Sequence, residues 1–280
     1  MPGDALSPCP ELSTSARDSL ACTRGNPEAL RMTSSPARDR PVLALVPAAV
    51  RTALDLAVPR PCPGCGGPEP WCPGCAATLD ARPRLVLLPE PTLDAAAGTA
   101  LPPVRAITRY AGPVRAAILA GKERGRSDLP GRLGEAIGRS LLRLRRSGVL
   151  AGDCWIVPAP SRRSAARRRG GDPVTAMAVA AAAIMARAGV PAGVAPCLFT
   201  AGRARDSVGL DAAGRVANLA GRIRYLERAG PPAGMPVLLL DDVVTTGATL
   251  LASVAALRLH GIAVTGLLAV AAAAPWRSVR

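Results

Sequence analysis

The sequence predicts an α/β protein with a mostly parallel sheet, preceded by a small cysteine-rich module. Three observations carry this. From about residue 104 onward, short apolar runs alternate with stretches of helical periodicity. The run Val237-Leu238-Leu239-Leu240 is apolar without interruption, as a strand covered on both faces must be. Two Cys-x-x-Cys pairs stand together upstream, at Cys62/Cys65 and Cys72/Cys75. With 280 residues the chain holds about two domains' worth of sequence. We divide it into a disordered extension (1–41), a short helix with the cysteine module and a linker (42–100), and the α/β domain (101–280).

The extension holds Ser, Thr, Pro and charge without periodicity, and too little apolar surface to order itself; Met32 within it is an alternative start. Val46, Val50, Ala53, Leu54 and Ala57 recur at helical spacing and stop at Pro59. Residues 76–102 show little pattern and read as linker or trailing edge of the module. A strand is expected over 104–110, and Gly112-Pro113 opens a helix through Ala120. Leu133, Ile137, Leu141 and Leu144 line a second helix ending near Gly148. Residues 155–157 form a short buried strand, and Asp172-Pro173 starts a helix running to Gly189. A strand follows over 194–199 despite Pro196, then a polar loop and a short helix capped by Asp211. After the strand at 237–240, Leu250, Val254 and Leu257 mark a helix ended by Gly261, and 262–270 is the last strand. His260, just before Gly261, suits a structural role at the helix end.

Composition bounds the function. Hydrophobic residues make up 49% and charged residues 20%, so wholesale disorder and a collagen-like fibre are excluded. The formal charge of +15 favours a phosphate-bearing partner, although Lys122 is the only lysine and the arginine and alanine bias looks compositional. Three Trp, two Tyr and one Phe offer few platforms for stacking bases. The longest apolar stretches, 174–186 and 262–276, are shorter than the roughly 20 residues that cross a bilayer, so no membrane insertion is expected. The first 30 residues lack an apolar signal core, which points to the cytoplasm. Cysteines there read as metal ligands or inert thiols before disulfides. Cys9 and Cys22 fall in the extension, and Cys154 and Cys197 in strand-like runs where buried thiols are the default.

The most informative segment runs from Val237 to Thr249, where the apolar strand turns abruptly into Asp241-Asp242-Val243-Val244-Thr245-Thr246-Gly247-Ala248-Thr249. Ligands of parallel α/β folds sit at the carboxyl ends of strands. Two adjacent carboxylates there are tolerable if they accept hydrogen bonds from hydroxyls, and the vicinal hydroxyls of a ribose are suitable donors. The Thr- and Gly-rich bend leads into a helix N-terminus, which favours a phosphate. Together they suggest a ribose 5-phosphate; the bland alternative, a solvated Asp-Asp turn, leaves the threonines unexplained. Adjacent acids do not fit the Asp-x-Asp of haloacid-dehalogenase phosphatases, and no Walker loop occurs. Val157-Pro158-Ala159-Pro160-Ser161 ends another strand and is followed by Arg162, Arg163 and Arg167 to Arg169, either a solvated face or partners for a pyrophosphate.

The segment 237–249 resembles the PRPP-binding signature of type I phosphoribosyltransferases. With the cysteine pairs, the stretch from Tyr110 to Lys122, and the pattern Arg203 to Arg215-x-x-Asn218-x-x-Gly221, residues 50–275 resemble the ComF family of phosphoribosyltransferase-like proteins. The resemblance implies a sheet of the type I phosphoribosyltransferase kind and binding of PRPP with Mg²⁺. Asp241 and Asp242 would hold the ribose hydroxyls, and Thr245, Thr246, Gly247, Ala248 and Thr249, next to Val243, the 5-phosphate. Ala159, Pro160 and Ser161 would hold the pyrophosphate, and Arg203 to Asn218 would form a closing loop. Lys122 matches the family's lysine ahead of the core. Departures are Gly171-Asp172-Pro173 where the family usually has Phe-Asn-Gln, and Val208 in place of the loop's customary Gln; they bear on acceptor contacts.

Each Cys-x-x-Cys pair can present two thiolates to one ion, so Cys62, Cys65, Cys72 and Cys75 suggest a structural Zn²⁺ site, with a redox or disulfide role as the alternative. The family resemblance also implies a zinc module. Trp71 either covers that site or faces a partner. Three functions are expected in order: an enzyme moving phosphoribosyl to an unidentified acceptor such as a nucleobase; a non-catalytic PRPP sensor; and an accessory of DNA uptake contacting single-stranded DNA or uptake proteins, the last resting on the family's link to competence.

Overall fold

The chain alternates strand and helix as its apolar pattern requires. A computed structural model describes residues 60–88, 101–150, 152–160, 172–201, 219 and 221–276. In order the elements are α1 (Pro73–Ala77), β1 (Arg84–Leu85), β2 (Val104–Arg109), α2 (Gly112–Glu123), α3 (Asp128–Arg146) and β3 (Cys154–Pro158). They continue with α4 (Pro173–Arg187), β4 (Ala192–Val194), β5 (Leu198–Thr200), β6 (Ile223–Tyr225), β7 (Val237–Val244), α5 (Ala248–Arg258) and β8 (Val264–Ala272). The main sheet has the order β1-β2-β8-β7-β3-β4. All its pairings are parallel except β1 with β2, so the sheet is mixed but mostly parallel, as predicted.

Two cores flank this sheet. Ile156, Leu238, Leu240 and Leu268 face α2, α3 and α4, whereas Val157, Val237, Leu239 and Leu267 face α5. Leu250, Val254 and Leu257 of α5 are buried, as their spacing predicts. The predicted cap of α4 is present: Asp172 Oδ2 accepts from the Thr175 N–H at 3.1 Å and from its hydroxyl at 2.7 Å. Cys154 and Cys197 are buried thiols, as predicted. His260 lies just past the end of α5, and its ring packs on Tyr225 with centroids 4.6 Å apart.

Three expectations need correction. The strand expected over 194–199 is two elements: β4 closes the main sheet, and β5 pairs with β6 in a separate hairpin. Pro196, which has no N–H to give a ladder, lies at the break. The strand at 237–240 does not stop at the acids. β7 continues through Val244 because β8 is long enough to keep pairing it, up to Val244 opposite Ala272. The patternless stretch 76–102 contains the edge strand β1, whose Arg84 and Leu85 pair with Ala106 and Arg105.

The cysteine module belongs to the same compact unit as the sheet. Trp71, Cys75 and Leu79 are buried in the core shared with α2 and α3, so Trp71 is a core residue. The extension 1–41, the helix expected at 46–57, Ser161, the arginines 162–169, Arg203 with the loop 203–218, and the helix from Asp211 lie outside the described residues. Among the described residues no helix is long and apolar enough to cross a membrane.

Candidate functional site

β3 and β7 are neighbours in the sheet, yet the chain leaves them in opposite directions. After β3 it turns through α4 on one face toward β4; after β7 it turns through α5 on the other face toward β8. Helices diverging from adjacent parallel strands leave a crevice beyond the strands' carboxyl ends, the place where open α/β sheets bind ligands. Pro158 pairs with Leu240, and the Ala159 N–H donates to the Leu240 carbonyl at 2.7 Å, so Ala159 and Pro160 sit beside the acid pair.

The two acids have different surroundings. By strand alternation Asp242 shares the face of Leu240, where α2 lies, and it is buried. Lys122, in the last turn of α2, places its Nζ 2.5 Å from Asp242 Oδ2, with side-chain exposures of 37% and 3%. Asp241 is half-buried, and its Oδ1 accepts from the Asp242 N–H at 2.8 Å. Burial, reinforced by the Asp242 charge, pushes the Asp241 carboxyl up to about 8 against the opposing pull of Lys122. Burial alone would lower the Lys122 ammonium, but the charge and hydrogen bond of Asp242, with a smaller pull from Asp241, outweigh it and raise it. The crevice thus holds a proton-retaining carboxyl beside a lysine–aspartate ion pair.

Beyond β7 the bend exposes Thr245 and half-exposes Thr246 and Thr249, while Gly247 and Ala248 are buried. Gly247 is the N-cap of α5 at φ 81°, left-handed backbone that glycine adopts without strain. A Cβ there would lie 2.7 Å from Leu88 Cδ2, so the tip of that side chain would have to shift. No side chain caps the helix through a hydrogen bond from Gly247; the Ala248 N–H reaches only the Thr246 hydroxyl, at 3.4 Å. The first amides of α5 therefore point toward the crevice end of the sheet with the helix dipole behind them, a favourable setting for an anion.

The second site is the cysteine cluster. The Sγ atoms of Cys62, Cys65, Cys72 and Cys75 all lie within 4.8 Å of one another, with Cys65 and Cys72 3.5 Å apart. Metal–sulfur bonds of about 2.3 Å in tetrahedral geometry require sulfurs about 3.8 Å apart, so the four thiols can hold one metal ion. A tight turn returns the Gly66 N–H to the Cys62 carbonyl at 2.8 Å, and the Cys72 sulfur caps α1 by accepting from the Cys75 N–H at 3.5 Å. Burial would raise the Cys62 thiol, but the N–H groups of Cys72, Cys65 and Gly64 outweigh it and bring it down to about 6, favouring a thiolate ligand.

Sequence reasoning missed how the two sites are joined. Arg126, four residues after Lys122, donates to the Pro61 carbonyl at 2.9 Å and the Pro70 carbonyl at 2.8 Å, while Asp128 holds its guanidinium at 2.9 and 2.8 Å. Both carbonyls flank the cysteine pairs. Gly64 packs against the start of α2, where a Cβ would come within 2.7 Å of Pro113 Cβ. Arg139 and Arg143 of α3 reach Asp80 at 3.6 and 3.7 Å. One arginine among 34 carries no local signal for such a clamp.

Of the predicted residues, Asp241, Asp242, Lys122, Ala159, Pro160 and the bend from Val243 to Thr249 converge on the crevice. The four cysteines converge on a separate cluster. A scan against protein-family models and a search of curated proteins find no match for this chain.

Proposed function

We propose that the crevice binds PRPP with Mg²⁺ and that the protein moves phosphoribosyl to an acceptor such as a nucleobase nitrogen, as the resemblance to ComF-type phosphoribosyltransferases implies. The observation that carries this reading is the placement of an acid pair and a weakly capped helix N-terminus together at the divergence of β3 and β7. The half-exposed Asp241 would accept from a ribose hydroxyl. The amides of 248–250 and the hydroxyls of Thr245, Thr246 and Thr249 would take the 5-phosphate. Ala159 and Pro160 would face the pyrophosphate. Asp242 is already engaged, so its part is to fix Lys122 at the crevice as well as to meet the sugar. Mg²⁺ would supply charge neutralisation on the pyrophosphate.

In the reaction the bond between C1 and the pyrophosphate oxygen would break, the electron pair leaving with pyrophosphate, and the acceptor nitrogen would bond to C1 with its proton passing to the released pyrophosphate. Lys122 would offset part of the charge gathering on the departing group. The cysteine cluster, with all four positions supplied by protein, suits a structural Zn²⁺ and leaves no open coordination position for catalysis.

Calorimetric titration with Mg-PRPP tests the reading. The wild type should bind and the Asp241→Asn, Asp242→Asn double variant should bind at least tenfold more weakly; equal binding removes the proposed sugar contacts. Pyrophosphate release in the presence of a panel of bases then separates a transferase from a PRPP sensor.

A further inference from the structure

At the β1 edge of the sheet, under the last turn of α3, lies a cavity of about 770 Å³ into which Arg82, Arg84, Arg105, Arg143 and Arg146 converge. Among the described residues no acidic side chain lines it. Three elements build it: the segment through β1 brings Arg82 and Arg84, β2 brings Arg105, and α3 brings Arg143 and Arg146. Among the described residues, two of the five have protein partners. Arg84 lies over the Trp276 ring, 5.0 Å from its centroid, and Arg143 leans on Asp80 through Nη2 at 3.7 Å. The other nitrogen of Arg143, Nη1, is buried without a hydrogen-bond partner. Among the described residues no carboxylate comes within ion-pair distance of Arg82, Arg105 or Arg146. Arg105 is half-buried in β2, where burial makes its charge costlier.

Five like charges facing one hollow repel each other, and two of them are partly withdrawn from water. Such an arrangement is relieved by a multiply charged anion that pairs with several guanidiniums at once, and planar forks match phosphate oxygens bidentately. Apart from Ser147, the rest of the lining is apolar: Pro83, Leu85, Leu144 and Val149 border the same cavity, and Val149 is 49% exposed. The volume lies within the roughly 300 to 1,000 Å³ range of small-molecule sites. A hollow of this size selects a compact ligand over the extended backbone of a strand. We propose that this cavity binds a nucleoside polyphosphate, its phosphates on Arg82, Arg105, Arg143 and Arg146 and its base against Leu85, Leu144 and Val149. The cavity shares no residue with the crevice. β8 separates β2 from β7, so the proposal does not rest on the phosphoribosyl reading.

The experiment is equilibrium titration of the full chain with ATP, inorganic triphosphate, adenosine and a short oligothymidylate, in metal-free buffer at 50 and 200 mM salt. ATP should bind and weaken severalfold at the higher salt. Triphosphate should bind at least tenfold more weakly than ATP, and adenosine should not bind at millimolar concentration. The Arg105→Gln, Arg146→Gln variant should lose at least tenfold in ATP affinity, whereas Asp241→Asn, Asp242→Asn should keep it, which sets this site apart from the crevice. Should the arginine variant fold poorly, Leu144→Asp replaces it with the same expected loss. Failure of ATP to bind, adenosine or triphosphate binding as well as ATP, affinity untouched by the cavity variants or lost with the aspartate pair, or binding of the oligothymidylate alone would each overturn the proposal.

Discussion

Asp241 and Asp242 are adjacent in sequence but opposite in electrostatic condition, and that contrast predicts how single substitutions behave. The Asp241 carboxyl sits at about 8, above its unfolded value of 3.8. A raised carboxyl stabilises the fold fully below about pH 4, and this contribution is lost as pH climbs through the folded value. Asp241→Asn should therefore match the wild type at pH 4 and exceed it progressively up to pH 9, by about 1 to 2 kcal/mol once the group's partial exposure is allowed for. Urea denaturation at pH 4.5 and 8.5 measures it, and a gap that does not widen with pH contradicts the assignment. Lys122 makes the reverse case. Removing it leaves the buried Asp242 without its cation, so Lys122→Met should cost about 2 to 3 kcal/mol, less than a fully buried pair because the lysine is 37% exposed. Adding Asp242→Leu to that variant should restore most of the loss, and additive losses in the double-mutant cycle would argue against direct coupling.

At the scale of elements, the turn between β7 and α5 tolerates little change at its glycine. Gly247→Ala forces a side chain into left-handed backbone and against Leu88, and should lower stability by about 1 to 3 kcal/mol. A thermal melt unchanged within a degree would show that the turn relaxes freely. The elements around it were legible because their signals are local. The apolar run of β7, the Asp172 cap of α4 and the stripe Leu250, Val254, Leu257 each follow from spacing alone. What the sequence hid depends on partners distant in the chain. β7 overruns its apolar stretch because β8 pairs its acidic half, and β5 leaves the sheet to find β6 some 25 residues later. The acid pair was legible as a site, but its division into a half-exposed and an ion-paired member depends on which face α2 covers.

For the whole molecule, the sharing of one core by Trp71, Cys75 and Leu79 with α2, α3 and α4 means that the cysteine module and the sheet should not melt separately. Extracting a cysteine-bound metal with a strong chelator should lower the melting temperature of a single cooperative transition, and two resolved transitions would show that the module unfolds alone. Arg126→Ala, which cuts the hydrogen bonds to Pro61 and Pro70, should move the same transition in the same direction, by about 1 to 3 kcal/mol. The sheet also has an unequal profile: its inner strands β7 and β8 run eight and nine residues, whereas the outermost, β1 and β4, run two and three. Long rows of amides and carbonyls are thus satisfied from within. Among the described residues the margins of this sheet offer only a short template, one of them bordered by Arg82 and Arg84, which disfavours a second chain zipping alongside.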